Sequence, residues 1–169
     1  ATDLEAKKRF KEECEAFAQR IEKEGMPAMA ELYCTSSARN TYRYKDPRGW
    51  AEFKQQFADG SATGHAMTMR GVQGSRVPFF ERTEELKKIS EPMLVVIGDE
   101  DDSTHSLAVH LKQHVARSGV LELPKCGHTM NLEEPAAFNT AVQDFLHAVE
   151  NDRWPAREQK SYTLIPPSR

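Results

Sequence analysis

Two short stretches carry the residue types of proton-transfer chemistry. The first is Gly98-Asp99-Glu100-Asp101-Asp102, a run of acids directly after an apolar segment. The second is Pro124-Lys125-Cys126-Gly127-His128-Thr129-Met130-Asn131, where a histidine follows a glycine. A carboxylate held against an imidazole fixes its tautomer and stabilises the imidazolium that forms when the ring accepts a proton. Glycine before the histidine lets the backbone turn tightly, so that the ring can face a cleft. The acids alone admit two other readings: complementing a helix dipole, or gathering around a divalent cation. The histidine loop raises the catalytic reading above these.

The flanking elements would bring the two stretches together. Met93-Leu94-Val95-Val96-Ile97 is a continuous apolar run rich in β-branched residues, expected to be a strand buried on both faces and closed by Gly98. Ser103 or Thr104 would cap a helix carrying Leu107, Leu111 and Val115, with Gly119 ending it. Val120 to Leu123 reads as a second, shorter strand, and Pro135-Ala136 opens a helix with Phe138, Val142, Phe145, Leu146 and Val149 on its apolar stripe. Strand, helix, strand, helix predicts a parallel pair. Both chemical loops then lie beyond carboxyl strand ends, where ligand and catalytic groups of α/β sheets gather. Two strands are few, since sheets average five or six.

Upstream the pattern is helical throughout. Phe10, Cys14, Phe17 and Ile21 recur at helical spacing after Asp3, a candidate cap; Gly25 ends that run and Pro27 opens another near Met29 and Leu32. Asn40 to Arg48 is aromatic and charged, with Asp46-Pro47 a turn or helix start. A helix from Gly49 to Ala58 would put Trp50, Phe53 and Phe57 on one side, a break spans Gly60 to Gly64, and a further helix runs through Met67 and Met69. The expected organisation is a helical cap over residues 1–80, a β-α-β-α unit over 81–150 and an irregular tail over 151–169, with Trp154 folded back.

Other candidates have plainer explanations. Cys126 sits two residues before His128, and a thiolate beside an imidazole could be nucleophilic; a small buried residue is the ordinary expectation. His110 and His114 have a zinc-ligating spacing but lack the glutamate that would follow the first histidine. His105 could join a metal site with Asp99, Asp101 and Asp102, or simply face solvent. Phe53, Phe57, Met67, Met69 and Phe79, with Phe80, could wall an apolar pocket, or serve only to pack a cap. Arg70 and Arg76 could steer a carboxylate, or be surface charge.

From about residue 1 to 157 the chain resembles the α/β-hydrolase superfamily, and residues 92 to 135 are the diagnostic part. Pro92 through Asp101 is similar to its penultimate-strand motif, and Pro124 through Pro135, with Gly127-His128 and Asn131-Leu132-Glu133-Glu134-Pro135, to its histidine loop and final helix start. Thr68 through Arg76 resembles the exit from a helical cap in one branch. The resemblance implies an α/β fold, with Asp101 as triad acid and His128 as base; Asp99 and Asp102 lie within a small shift of the loop. The acid-then-histidine order is that of the family's last two triad members. No Gly-x-Ser-x-Gly elbow is present: Gly60-Ser61-Ala62-Thr63-Gly64 has its serine second, without a preceding apolar strand. The early core strands and oxyanion loop are missing as well. The expectation is therefore a partial α/β-hydrolase fold. Its nucleophile would come from the N-terminal half of the same fold or from another chain, and its substrate would be a small, mostly apolar ester or related acyl compound. No metal or organic cofactor is implied. The competing expectation is a catalytically silent scaffold that self-associates through its sheet edge.

Composition sets the remaining bounds. The chain has 169 residues, 38% of them apolar, with 26 acids against 23 bases and a net charge of −3. No basic patch or long like-charged run suggests nucleic acid or an anionic membrane as partner, and no apolar run approaches bilayer length. Three cysteines, Cys14, Cys34 and Cys126, make neither a disulfide framework nor a Cys-x-x-Cys pair, which fits a cytoplasmic setting. The chain opens directly into a charged helix pattern rather than a signal segment.

Overall fold

The computed structural model describes residues 4–157. The expected cap Asp3 and the last part of the tail lie outside that range. The first helix, α1, spans Leu4–Cys34 but is interrupted at Gly25, whose φ of 78° and ψ of 168° are non-helical. Positive φ costs glycine little, so the helix divides where Gly25 and Pro27 predicted. The spacing of Cys14, Ala18 and Ile21 puts all three on one buried stripe. Ala18 and Ile21 join Met26, Met29 and Ala66 in the core of the helical region, with Phe17, Phe57, Ala62 and Met69 packed around it.

Helix α2 covers Ser37–Lys45, a segment whose aromatic and charged character gives no clear helical period. Helix α3 covers Pro47–Ala58, with proline in its first turn and the Asp46 side chain accepting the Gly49 N–H at 2.9 Å. The break after it is narrower than Gly60 to Gly64. Helix α4 begins at Ala62 and contains Gly64, because Ser61 caps it by accepting the Gly64 N–H at 3.1 Å. A π-helical turn at Met69–Gln73 and a 3₁₀ turn at Phe79–Arg82 lead into the short helix α5, Thr83–Leu86. Among the described residues this whole region holds no strand.

The second region has strand β1 (Met93–Gly98), helix α6 (Asp102–His114), strand β2 (Ser118–Leu123), the short helix α7 (Met130–Glu133) and helix α8 (Pro135–Glu150). The strands pair in parallel, Met93 opposite Ser118 through Gly98 opposite Leu123. Three expectations are corrected. β1 is buried only at Ile97 and Gly98 and half-buried elsewhere, because the described sheet has two strands rather than a covered interior. The residue at the start of α6 is Asp101, not Ser103 or Thr104. Helix α6 ends before Val115, so Gly119 lies inside β2 rather than terminating the helix. It is needed there for space: a Cβ on Gly119 would stand 2.5 Å from the Trp154 ring. Trp154 folds back as expected, donating from Nε1 to the Arg117 carbonyl at 2.7 Å and meeting Phe145 edge-on.

Candidate active site

The ends of β1 and β2 lie side by side, and the two loops beyond them close on each other. A Cβ on Gly98 would fall 2.2 Å from the Cys126 carbonyl oxygen and 2.3 Å from that of Gly127. Glycine here serves close backbone approach, not positive φ. The Glu100 N–H donates to the Cys126 carbonyl at 2.9 Å, and Asp99 Oδ1 accepts the Cys126 N–H at 3.1 Å. The N–H groups of Lys125 and Cys126 hold the Asp99 carboxyl below the usual carboxylate range. Asp99 is thus occupied in joining the loops.

Asp101 is 2% exposed and faces the imidazole, with Oδ2 2.5 Å from His128 Nδ1. Its other oxygen, Oδ1, accepts the Ser103 hydroxyl at 2.7 Å. Both oxygens being engaged, the side chain does not cap α6 although the residue sits at the capping position. The Asp101 backbone carbonyl accepts the N–H and hydroxyl of Thr104 instead. Burial pushes the Asp101 carboxyl up, but the hydrogen bonds from His128 and Ser103 prevail and hold it below the usual range. An ionised carboxylate accepts the Nδ1 proton, which leaves Nε2 as the basic nitrogen. The His128 side chain is half exposed, and Nε2 bonds none of the described residues. The ring can therefore take a proton from a group approaching from outside. Asp102 is exposed in the first turn of α6.

Glu133 has a part at this site that sequence reasoning missed. It is 6% exposed, yet its carboxylate accepts from Gly127 N, Thr129 N and Thr129 Oγ1. Its place five residues after the histidine was visible in the motif, but nothing in its type distinguished it from half-buried Glu134. The remaining loop N–H, that of His128, donates to the Ala38 carbonyl of α2 at 2.7 Å.

Cys126 is fully buried, and burial pushes its thiol up to about 12. That is the inert, packed cysteine of the ordinary reading. His105 pairs with Glu122 of β2 at 2.6 Å instead of joining the acids. His110 meets Thr83, Phe80 and His114, and His114 Nδ1 donates to the His110 carbonyl. Among the described residues no group of three or more histidines, cysteines and acids is placed to hold a metal. Arg70 forms ion pairs with Glu15 and Glu22 of α1, a strut within the helical region. Arg76 lies over the Phe10 ring.

The five apolar residues considered as a pocket wall fall in different settings. Phe57 stacks on Tyr33 and, with Met69, packs on the helical core. Phe53 meets Tyr42 edge-on. Met67 is 66% exposed. Phe79 lines a cavity of about 460 Å³, together with Phe10, Val77, Phe80, Leu107 and Ser103. Ser103 is the residue whose hydroxyl bonds Asp101, so this cavity reaches the acid's hydrogen-bond partner, while Asp101 and His128 themselves do not line it.

Similarity to known proteins agrees with this architecture. The chain is 28% identical over 130 residues to 3-oxoadipate enol-lactonase 2 of Acinetobacter baylyi, an alignment covering 76% of this chain and 46% of that protein. The solved structure of MenH from S. aureus superposes with a TM-score of 0.82 at 18% identity, over 89% of this chain and 56% of that one. The enol-lactonase from Burkholderia xenovorans LB400 gives a TM-score of 0.66 at 25% identity, covering 78% and 49%. The chain thus spans about half the length of these relatives. The model of the alpha/beta hydrolase family matches residues 16–141, most of the sequence, and the chain belongs to that family.

Proposed function

We propose that this chain contributes the acid and the base of a Ser-His-Asp hydrolase acting on a small, mostly apolar ester or related acyl substrate. The observation that carries this reading is the 2.5 Å contact between buried Asp101 and His128 Nδ1, with the opposite ring nitrogen open. In the complete site a serine hydroxyl from polypeptide outside these residues gives its proton to His128 Nε2 as its oxygen attacks the acyl carbon. Asp101 holds the tautomer and offsets the imidazolium charge, and His128 returns the proton to the leaving oxygen. Residues 1–80 act as the cap, 81–150 as the C-terminal part of the core and 151–169 as the tail. A relative named as an enol-lactonase supports an ester-type bond. The apolar side chains Phe10, Phe79, Phe80 and Leu107 in the cavity support a substrate with an apolar portion, although Lys7 and Arg76 line the same cavity. Three unpaired cysteines support a cytoplasmic setting.

The test is hydrolysis of short-chain p-nitrophenyl esters by the natively isolated protein, with native mass spectrometry of the same sample. We expect a co-travelling segment that supplies the serine. Turnover should survive EDTA and fall by about 10³-fold or more in H128A. Turnover indifferent to H128A would overturn the assignment. A second reading, a silent self-associating scaffold, draws on the 41% exposure of Val120 on β2; a stable homo-oligomer without esterase activity would favour it.

A further inference from the structure

The four consecutive N–H groups from Cys126 to Thr129 lie in no regular ladder, yet every one has an acceptor. Asp99 takes that of Cys126, Ala38 that of His128, and Glu133 those of Gly127 and Thr129. Glu133 therefore grips the chain on both sides of the histidine and adds the Thr129 hydroxyl at 2.9 Å. The position of the imidazole follows from where those peptide planes are held. A loop with unpaired buried N–H groups would relax to satisfy them elsewhere, and a short, aligned bond to a fixed carboxylate does not survive much relaxation.

We propose that Glu133 is a positioning residue for His128: its carboxylate, by fixing the backbone before and after the histidine, keeps Nδ1 aimed at Asp101. The inference rests on the reading of Asp101 and His128 as a catalytic pair. Glu133 touches neither the open Nε2 nor any reacting atom, so its action passes through the loop. What the loop requires is an acceptor-only group. Three donors converge on the two oxygens, and a carboxylate meets all three. An amide of the same shape has one accepting oxygen and an NH₂ that faces a donor. The site thus distinguishes charge and acceptor count from volume, which simple packing at this position would not do. The neighbouring backbone enforces the same geometry from the other side: a Cβ on Gly127 would stand 2.4 Å from both the Ala38 carbonyl oxygen and Thr41 Oγ1. The loop has no room to shift toward α2 in compensation.

The test is NMR of the full chain labelled with ¹⁵N, following the His128 ring. The bridging Nδ1 proton gives a downfield resonance, and the ring nitrogens report the tautomer. In E133Q we expect that resonance to be lost or moved upfield and the Nδ1–H tautomer to lose its dominance, with the far-UV circular dichroism unchanged. E133D, which keeps the acceptors but shortens the arm, should recover part of the signal. T129V, which removes one donor to Glu133, should shift the resonance in the same sense by less, and it serves as the decisive variant should E133Q not fold. A folded E133Q with the unaltered chain's ring resonances, or a T129V with no shift, would overturn the role of Glu133. Absence of the bridging resonance from the unaltered chain would instead overturn the Asp101–His128 pairing.

Discussion

Asp99 Oδ1 accepts the Cys126 N–H at 3.1 Å, so the loop after β1 holds the loop after β2 directly, across the ends of two neighbouring strands. The Glu100 N–H to the Cys126 carbonyl and the Lys125–Glu100 ion pair join the same loops. The acid-histidine pair is one member of this joint, and its geometry depends on the others.

Gly98 makes the joint possible, because backbone oxygens occupy the space of any side chain there. Neither oxygen can rotate away as a flexible side chain would. We expect G98A to cost about 1–3 kcal/mol, the range of an overpacked core, read from the urea midpoint at unchanged slope. A G98A protein as stable as the parent would show that the loops separate easily.

Asp101 makes stability depend on pH with a definite sign. Its folded carboxyl lies below the ordinary value of about 3.9. Its contribution is therefore complete above that ordinary value and disappears as the pH falls through the lower, folded one. D101N should lose about 1–3 kcal/mol near neutrality, the cost of disrupting a buried bonded group. The gap between the two proteins should close in acid. Urea titrations from neutral to strongly acidic pH check this; a gap that persists or widens in acid would contradict it.

Cys126 should be silent toward alkylation in the native protein. With its thiol at about 12, only about one molecule in 10⁴ carries thiolate at pH 8. No surface of the sulfur is open to reagent either. Iodoacetamide followed by intact-mass measurement should find this thiol unlabelled until urea is added. Prompt native labelling at Cys126 would mean that the loop opens.

Ser61 should matter for stability and not for turnover. It caps α4 through the Gly64 N–H. S61A is expected to lower stability by about 0.5–2 kcal/mol, the usual range for a lost cap, seen as a lower thermal midpoint. Abolished esterase activity in a folded S61A protein would reverse this assignment and place a nucleophile within the chain.

Where the sequence was informative, a local physical requirement left a distinctive mark. The apolar run before Gly98, the Gly25–Pro27 interruption and the Asp46–Pro47 cap each combine a propensity with a breaker, and the structure has all three. The adjacency of the acid run and the histidine loop followed from strand order, and the choice of Asp101 within that run came from the resemblance to the α/β-hydrolase superfamily. The misplaced details depended on partners distant in sequence. Gly119 looked like a helix stop because nothing local announces the Trp154 ring that needs its space. Helix α2 lacked a clear period, since only Tyr42 within it is buried. Glu133 resembled any surface acid until the N–H groups around it were placed.

The parallel pairing of β1 and β2 has a consequence for how freely this chain can vary. Asp101 and His128 are separated by an entire helix, yet their proximity is set by adjacent strand termini and by the bonds between their loops. A turn added to or removed from α6 would change the length of the route between them without changing the strand end to which it returns. A single residue inserted between Gly98 and Asp101 would rotate the acid out of reach. Length is thus tolerated across most of the crossover and forbidden over three residues, which makes this spacing the steadiest measure by which to align distant sequences.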